Sequence, residues 1–156
     1  MARFSESNVI VPLIEAKDYG SAGIDSDGVN LGLVHSFSAA FVFGTVTGNS
    51  VLKVYAGATA AKTTAIAFKN RLGAADYKAA TADQLGDATS VESTGLTLTA
   101  ATFDHRLVVI EIDPDTMPSG KPWVTFEIDA TATAMTVGAV GMARGRYDAH
   151  LPNSII

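Results

Sequence analysis

The alternation of apolar and polar residues is strongest in two segments in the second half of the chain, and it has the two-residue period of a β-strand. Residues 107–113 are almost continuously Val and Ile, whereas residues 123–129 are β-branched and aromatic. In the second segment Val124, Phe126 and Ile128 fall on one face. The connecting residues are rich in proline and glycine. We therefore predict a hairpin of two strands at the buried centre of a sheet.

Weaker alternation predicts more strands. They cover residues 29–34, 39–46, 50–56, 63–72 and 132–143. A Thr-Gly-Asn-Ser sequence at residues 47–50 predicts a tight hairpin. Residues 74–85 are alanine-rich and compatible with a short helix, and residues 99–104 indicate a helical turn. Because strands and helices do not alternate, the pattern predicts a mainly β, single-domain antiparallel β-sandwich of about eight strands, jelly-roll-like or Greek-key.

The N-terminal segment is apolar and strand-like over residues 8–15 but contains Pro12. Proline has no backbone N–H and would interrupt a central ladder, so this segment belongs at a sheet edge or across a neighbouring subunit. An ordinary edge strand is favoured over an exchanged arm. The predicted organisation is an N-terminal arm of residues 1–15, a β-sandwich domain of residues 16–143 and a C-terminal tail of residues 144–156.

Composition restricts the classes of function. The 156-residue chain has a formal net charge of −5, which argues against a surface built to hold nucleic acid. The absence of cysteine excludes disulfides, thiolate zinc sites and a cysteine nucleophile. No apolar run reaches the roughly 18–20 residues of a membrane helix, and residues 1–12 lack the apolar core of a signal peptide. We expect a soluble protein with neither nucleic acid nor membrane as partner.

Candidate chemistry is sparse, and no nucleotide-binding, hydrolase or zinc-protease motif is present. Asp113 and Asp115 flank a proline, and turn capping is favoured over a role as paired carboxylates. The Asp-Ser-Asp-Gly sequence at residues 25–28 starts like a calcium loop, but Val29 stands where an oxygen ligand is needed. The three histidines, His35, His105 and His150, are far apart in the sequence. We favour separate surface or hydrogen-bonded positions for them over a shared metal site. We expect no catalytic residue, cofactor or metal.

Four segments, in their order along the chain, carry a resemblance in strand pattern to known proteins. They are VIVPLIEA, FVFGTVTGNSVLKVYAGATAAKTTAIAF, LTLTAATFDHRLVVIEID with the following GKPWVTFEI, and the small-residue final strand. Together they resemble the small structural proteins of tailed bacteriophages, most of all the capsid decoration (cement or head-stabilising) proteins. The resemblance implies a β-sandwich that assembles as a symmetric oligomer, commonly a trimer, on the outer surface of an icosahedral shell. It also implies that the termini clamp neighbouring major capsid subunits.

The favoured hypothesis is therefore a non-enzymatic virion structural protein that binds the outside of the capsid and stabilises it. It would be made in the cytoplasm of the host bacterium. The expected partners are the major capsid protein of the same phage and further copies of the chain, with a trimer as the first expectation. The candidate partner-binding residues come from the apolar arm and the C-terminal tail: Val9, Ile10, Val11, Leu13, Ile14, Arg144, Arg146, Tyr147, Ile155 and Ile156.

Two alternatives remain open. A phage tail-associated, carbohydrate-binding or receptor-binding β-sandwich would need exposed aromatic side chains, and Trp123 and the four tyrosines are the candidates. Trp123 is more typical of sandwich core or interface. A small enzyme with a barrel active site would need polar groups pointing inward, whereas the inward positions are Ile, Val and Phe.

Overall fold

Two antiparallel sheets pack face to face in the computed structural model of the chain, which describes residues 4–81, 83–130, 134–145 and 155–156. The strands of the described residues are β1 (Val9–Asp18), β2 (Ile24–Asp25), β3 (Val29–Asn30), β4 (Val34–Val46), β5 (Ser50–Gly57), β6 (Thr64–Ile66), β7 (Phe68–Leu72), β8 (Thr89–Val91), β9 (Leu96–Leu98), β10 (Leu107–Ile112), β11 (Trp123–Ile128) and β12 (Met135–Gly145). Helical structure is limited to α1 (Phe4–Ser7), α2 (Ala100–Phe103) and a 3-10 turn at Pro114–Thr116.

The order of the strands is that of a jelly roll. Sheet A runs β1-β12-β4-β10-β7-β8, and sheet B runs β2-β11-β5-β6, with β3 also beside β11 and β9 also beside β5. The chain alternates between the sheets, so both close over one core. The predicted mainly β sandwich is confirmed, but the described residues form twelve strands rather than about eight. A jelly roll has eight strand positions, and two of them are each split into two short strands here: β2 with β3 beside β11, and β6 with β9 beside β5. The strands β7 and β8 extend sheet A.

The predicted central hairpin is wrong, although both of its strands exist. β10 lies in sheet A and β11 lies in sheet B, so the two do not pair. Each strand buries one apolar face, exemplified by Ile110 and Phe126 at 0% exposure. Because β10 and β11 face each other across the sandwich, the apolar face of each is buried. The ten residues that connect them include three prolines, so the connection is too long and too poor in N–H groups for a tight hairpin.

Three other local predictions need correction. The hairpin predicted at residues 47–50 is instead a crossover, because β4 and β5 lie in different sheets. The strand predicted at residues 63–72 breaks at Ala67 into β6 of sheet B and β7 of sheet A. Residues 74–85 contain turns and bends rather than a helix in their described part, whereas the helical turn predicted at residues 99–104 is confirmed as α2.

Aromatic rings join the two sheets in the core. Phe126 of β11 meets Phe41 of β4 edge to face at a centroid distance of 5.3 Å and stacks on Phe37 at 6.3 Å. Phe103 of α2 packs edge to face on Phe43 at 6.1 Å and closes one end of the sandwich. All five rings are buried, so this cluster links the inner faces of β4 and β11.

The segment predicted as an arm is the edge strand β1 of its own sheet. It pairs with β12 along one side only, and register shifts follow Pro12 and Ile14. Proline and bulges both interrupt regular ladder pairing, so they protect this edge from further strand addition. The uncharged residues of β12 lie between β1 and β4, where Gly138 allows a close approach: a Cβ there would be 2.7 Å from the Cβ of Ala16.

Candidate functional site

The outer face of sheet B is charged, and its charges are paired. Lys62 Nζ lies 2.7 Å from Asp25 Oδ1 and also donates to Glu127, and Lys53 Nζ lies 3.1 Å from Asp129 Oδ2. The hydrogen bond to Asp25, followed by that to Glu127, raises the pKa of Lys62 above its usual value. Removing this face from water would require desolvating several ions, so it suits contact with solvent.

The outer face of sheet A carries an uncharged area across four strands, which we call the apolar face. Strand register arranges it in three rows: Ile10, Met142 and Ser38; Pro12, Val140, Ala40 and Val109; and Ala16, Gly138, Val42 and Leu107. Val42 is 50% exposed and Val140 is 43% exposed. Charge begins at its margin, with Glu111 of β10, Lys69 and Arg71 of β7, and Arg144 of β12. A contiguous apolar area of this kind on a sheet is typical of an interaction surface.

One end of the sandwich carries a second apolar surface, which we call the apolar end. It is defined by Phe4 of α1, Leu33 in the turn before β4, and Ile156, each more than half exposed. The first residue of β4 pairs with the last residue of β12, and β1 begins two residues from that point. The Asn30 N–H donates to the carbonyl of Ile155 at 2.6 Å, which ties the C-terminus to the same end. Residues from both chain termini therefore contribute to this surface.

The predicted partner-binding residues have different surroundings. Ile10 and Ile156 are exposed, Val9 is half-buried and Arg144 is exposed at the end of β12. The other described candidates are buried in the core: Val11, Leu13, Ile14 and Ile155. Contact between these buried side chains and a partner would require β1 or the C-terminus to leave the sandwich. Arg146 and Tyr147 lie outside the described residues.

An open groove of about 640 Å³ lies where β4 begins and β10 ends. Its base includes Phe37 and Phe68, and its rim carries polar side chains: His35, Lys69, Glu92, Glu111 and Asp113. Within the described part of the chain, no three His, Cys, Asp or Glu side chains are grouped as metal ligands. Neither Trp123 nor a tyrosine lines the groove, so it lacks the exposed ring on which a sugar stacks.

Two acidic side chains, Asp113 and Asp104, have structural roles. Asp113 accepts the backbone N–H of Asp115 at 3.0 Å, which confirms the turn-capping interpretation. Asp104 accepts the backbone N–H of Val46 at 2.8 Å, and His105 Nδ1 lies 2.8 Å from its other oxygen. The Val46 N–H, followed by His105, lowers the pKa of Asp104 below its usual value. This contact fixes the end of β4 to the corner that follows α2.

The predicted partner-binding residues include little of the apolar face and, of the three residues of the apolar end, only Ile156. Val42 and Val140 occupy the outward phase of strands whose inward phase is also apolar. That double apolar phase is the signal that the sequence offers for an exposed apolar face. Leu33 and Phe4 belong to short irregular segments in which periodicity carries no information.

The class of protein defined by this fold is a jelly-roll β-sandwich. No protein-family model matches the chain, and no curated protein matches it. Among solved structures, the SPBc2 prophage-derived protein YomS is 13% identical over 86% of this chain and 92% of its own, with a TM-score of 0.44.

Two further similar chains come from structures of infectious bursal disease virus. An infectious bursal disease virus Gx-strain chain is 12% identical over 88% of this chain, with a TM-score of 0.26. A chain of the T13 particle of that virus is 13% identical over 88%, with a TM-score of 0.27. The matches span 40% and 39% of those viral chains. At TM-scores this low, none of these likenesses carries an argument about function. In the described residues no helix has the length and apolar character needed to cross a membrane.

Proposed function

We propose that this chain is a non-enzymatic virion structural protein of a tailed phage, a capsid decoration protein that binds the major capsid protein on the outer surface of the shell and stabilises it. The observation that carries the proposal is the apolar end, where Phe4, Leu33 and Ile156 expose large apolar side chains beside a fully packed core. Such residues are costly to leave in water unless another surface covers them. The sequence resemblance to decoration proteins supplies the class of partner.

The energetics fit a structural role. Covering a large side chain that is about half exposed contributes on the order of 1 kcal/mol at about 25 cal/mol per Å². Three such side chains give a modest contact, and an oligomer on a repeated shell multiplies it because bound neighbours raise the effective concentration. Since the contact is apolar, attachment is expected to change little with salt, unlike the binding of a basic protein to nucleic acid.

The edge of β1 is the less suitable contact. A capsid segment added beside β1 would need a regular row of N–H and C=O groups, whereas Pro12 and the register shifts after Pro12 and Ile14 interrupt that row. Deletion of the first fifteen residues would also remove the buried Val11, Leu13 and Ile14. A point substitution at the apolar end is therefore a cleaner test than a truncation.

The test mixes the purified full chain with mature, undecorated capsids of its own phage and measures attachment by co-sedimentation and shell stability by thermal and osmotic challenge. We expect tight attachment that persists at high salt and a raised tolerance of the shells. Leu33→Asp should weaken attachment at least tenfold, because a carboxylate at this contact would be desolvated. Leu85→Asp is the matched control, since Leu85 is exposed in the irregular segment before β8, near Leu72 and Arg106 and remote from the apolar end.

Failure of the intact protein to attach, or attachment without any gain in shell tolerance, would overturn the decoration proposal. Equal attachment of the Leu33→Asp and Leu85→Asp proteins would show that the apolar end is not the contact.

The polar rim of the groove, which includes Glu92 and Asp113, favours a second candidate, a tail-associated, carbohydrate-binding or receptor-binding module that would hold its ligand by polar contacts rather than by ring stacking. In that case a ligand would contact the polar rim, and Glu92→Gln would weaken binding to host cells or their surface glycans while leaving capsid attachment unchanged. Saturable binding of the protein to host cells, together with no binding to capsids, would favour this candidate over decoration.

A further inference from the structure

The centre of the apolar face has two ridges and two hollows. Val140 of β12 pairs with Ala40 of β4, and in the next row Gly138 of β12 pairs with Val42 of β4. These four residues form a rectangle on the outer face of the sheet. The two valines occupy opposite corners, and the two small residues occupy the other two. Both valines are well exposed, so they project from the sheet.

The hollow at Gly138 is maintained by the fold itself. A Cβ at this position would lie 2.7 Å from the Cβ and 2.9 Å from the Cα of Ala16 in β1, so no larger residue fits without a shift of β1. The position must stay small for reasons internal to the chain. The methyl of Ala16 fills the space over Gly138, so the hollow is as deep as one at an alanine and lies below the two valines, and another surface can pack against it.

We propose that the apolar face binds the same face of a second copy of this chain, across a two-fold axis that lies in the plane of the interface, parallel to the strands and between β12 and β4. This axis places Val140 of each copy over Ala40 of the other and Val42 over Gly138, so ridges enter hollows. A two-fold contact of this kind is isologous and closes on itself. Sheets that pack face to face keep their strands within about 30° of each other, which preserves the match at the centre.

Charge selects this axis over the other two-fold axis in the plane. An axis perpendicular to the strands would lay β7 of one copy over β7 of the other and bring Arg71 of the two copies into neighbouring rows. The axis parallel to the strands superposes the three uncharged rows of β1, β12, β4 and β10 on one another, with Glu111 at one corner, and leaves β7 outside the contact. Charged side chains then stay at a hydrated rim, as in other protein interfaces.

The size of the face sets the expected strength. Four strands about 4.8 Å apart and three rows with their margins cover on the order of 500 Å² per copy, or about 1,000 Å² in total. That is the low end of specific interfaces, so we expect a reversible pair rather than an obligate dimer. The inference goes beyond the proposed function, since it concerns a different surface and can be tested without capsids.

The first test is sedimentation equilibrium of the full chain over concentrations up to about 1 mM, a range in which weak pairs associate. We expect a monomer–dimer equilibrium. Val140→Lys should raise the dissociation constant at least thirtyfold, as expected when an interface centre must bury a charge. Leu85→Lys, at a residue that is 42% exposed against 43% for Val140, is the matched control and should leave the constant unchanged.

The second test exchanges a ridge and a hollow. Ala40→Val alone sets ridge against ridge and should weaken the pair at least tenfold. Combining Ala40→Val with Val140→Ala restores one ridge facing one hollow and should return the constant to within about threefold of the original. Circular dichroism and thermal melting of each variant verify that the monomer is folded.

Three results would overturn the two-fold pair. The first is a protein that stays monomeric at about 1 mM, and the second is a trimer, the stoichiometry that the sequence resemblance implies. The third is a double variant that associates no better than Ala40→Val alone. Each can occur whether or not the protein attaches to capsids, so failure of this inference and failure of the decoration proposal are distinguishable.

Discussion

Replacement of Phe126 by alanine is the sharpest test of the core. Phe126 is fully buried between the sheets, with Phe41 edge to face at 5.3 Å and Phe37 stacked at 6.3 Å. Phe126→Ala removes the ring from β11 and leaves a cavity against β4, the longest strand of sheet A. Because the ring contacts two others across the sandwich, its loss weakens the contact between sheets rather than one strand alone.

Phenylalanine-to-alanine changes in a packed core cost about 3–5 kcal/mol, which includes both lost burial and the cavity. We expect about 4 kcal/mol for Phe126, since both aromatic partners lose their contact. For a domain of this size that corresponds to a fall in melting temperature of roughly 10 °C. Phe4→Ala is the control, because Phe4 is exposed and its loss should change stability by no more than about 0.5 kcal/mol.

Urea unfolding provides the measurement, followed by the fluorescence of Trp123, the sole tryptophan. The midpoint should move strongly for Phe126→Ala with little change in the denaturant slope. Phe4→Ala should show the opposite pattern, with native stability and weakened attachment to capsids. Equal midpoints for the two variants would refute the placement of Phe126 at the junction of the sheets.

Three further substitutions test separate contacts. Gly138→Ala should destabilise the fold by about 2 kcal/mol in urea unfolding, because its Cβ would clash with Ala16; an unchanged midpoint would contradict that close approach. Asp104→Asn should cost about 1 kcal/mol at pH 7, since the carboxylate accepts the Val46 N–H. The folded pKa of Asp104 is lowered, so this stabilisation is present above about pH 4 and is lost as pH falls through the folded pKa. The melting temperatures of the original protein and Asp104→Asn should therefore differ at pH 7 and converge in acid. A difference that persists in acid would contradict the assignment. Lys62→Met should cost about 1 kcal/mol at low salt and less at high salt, and an effect independent of salt would contradict a role in ion pairing.

Local pattern was sufficient to locate the long strands and to predict which of their faces is buried. The alternation in β10 and β11 assigned Ile110 and Phe126 to the inner side, where both are fully buried. In β5 the same alternation separated the buried Leu52 and Val54 from the half-buried Lys53. Such predictions succeed because successive side chains of a strand point to opposite sides whatever the strand pairs with.

Pairing between strands could not be predicted in the same way. β10 and β11 have the same apolar alternation whether they lie side by side in one sheet or face each other across two. The jelly roll decides between these arrangements, because the chain must return to sheet B after β10 and to sheet A after β11 to close both sheets over one core. The break at Ala67 between β6 and β7 has the same cause.

For the candidate surfaces, too, the sequence determined the apolar character and the tertiary structure determined the exposure. The sequence by itself determined that β12 is uncharged from Met135 to Ala143 and that both termini carry apolar residues. Tertiary structure decided that Val11, Leu13 and Ile14 are core whereas Val140 is surface. Apolar character is a property of the residue and can be read locally, but exposure depends on whether another part of the chain covers that residue. For the outer side of sheet A, none of the described residues does.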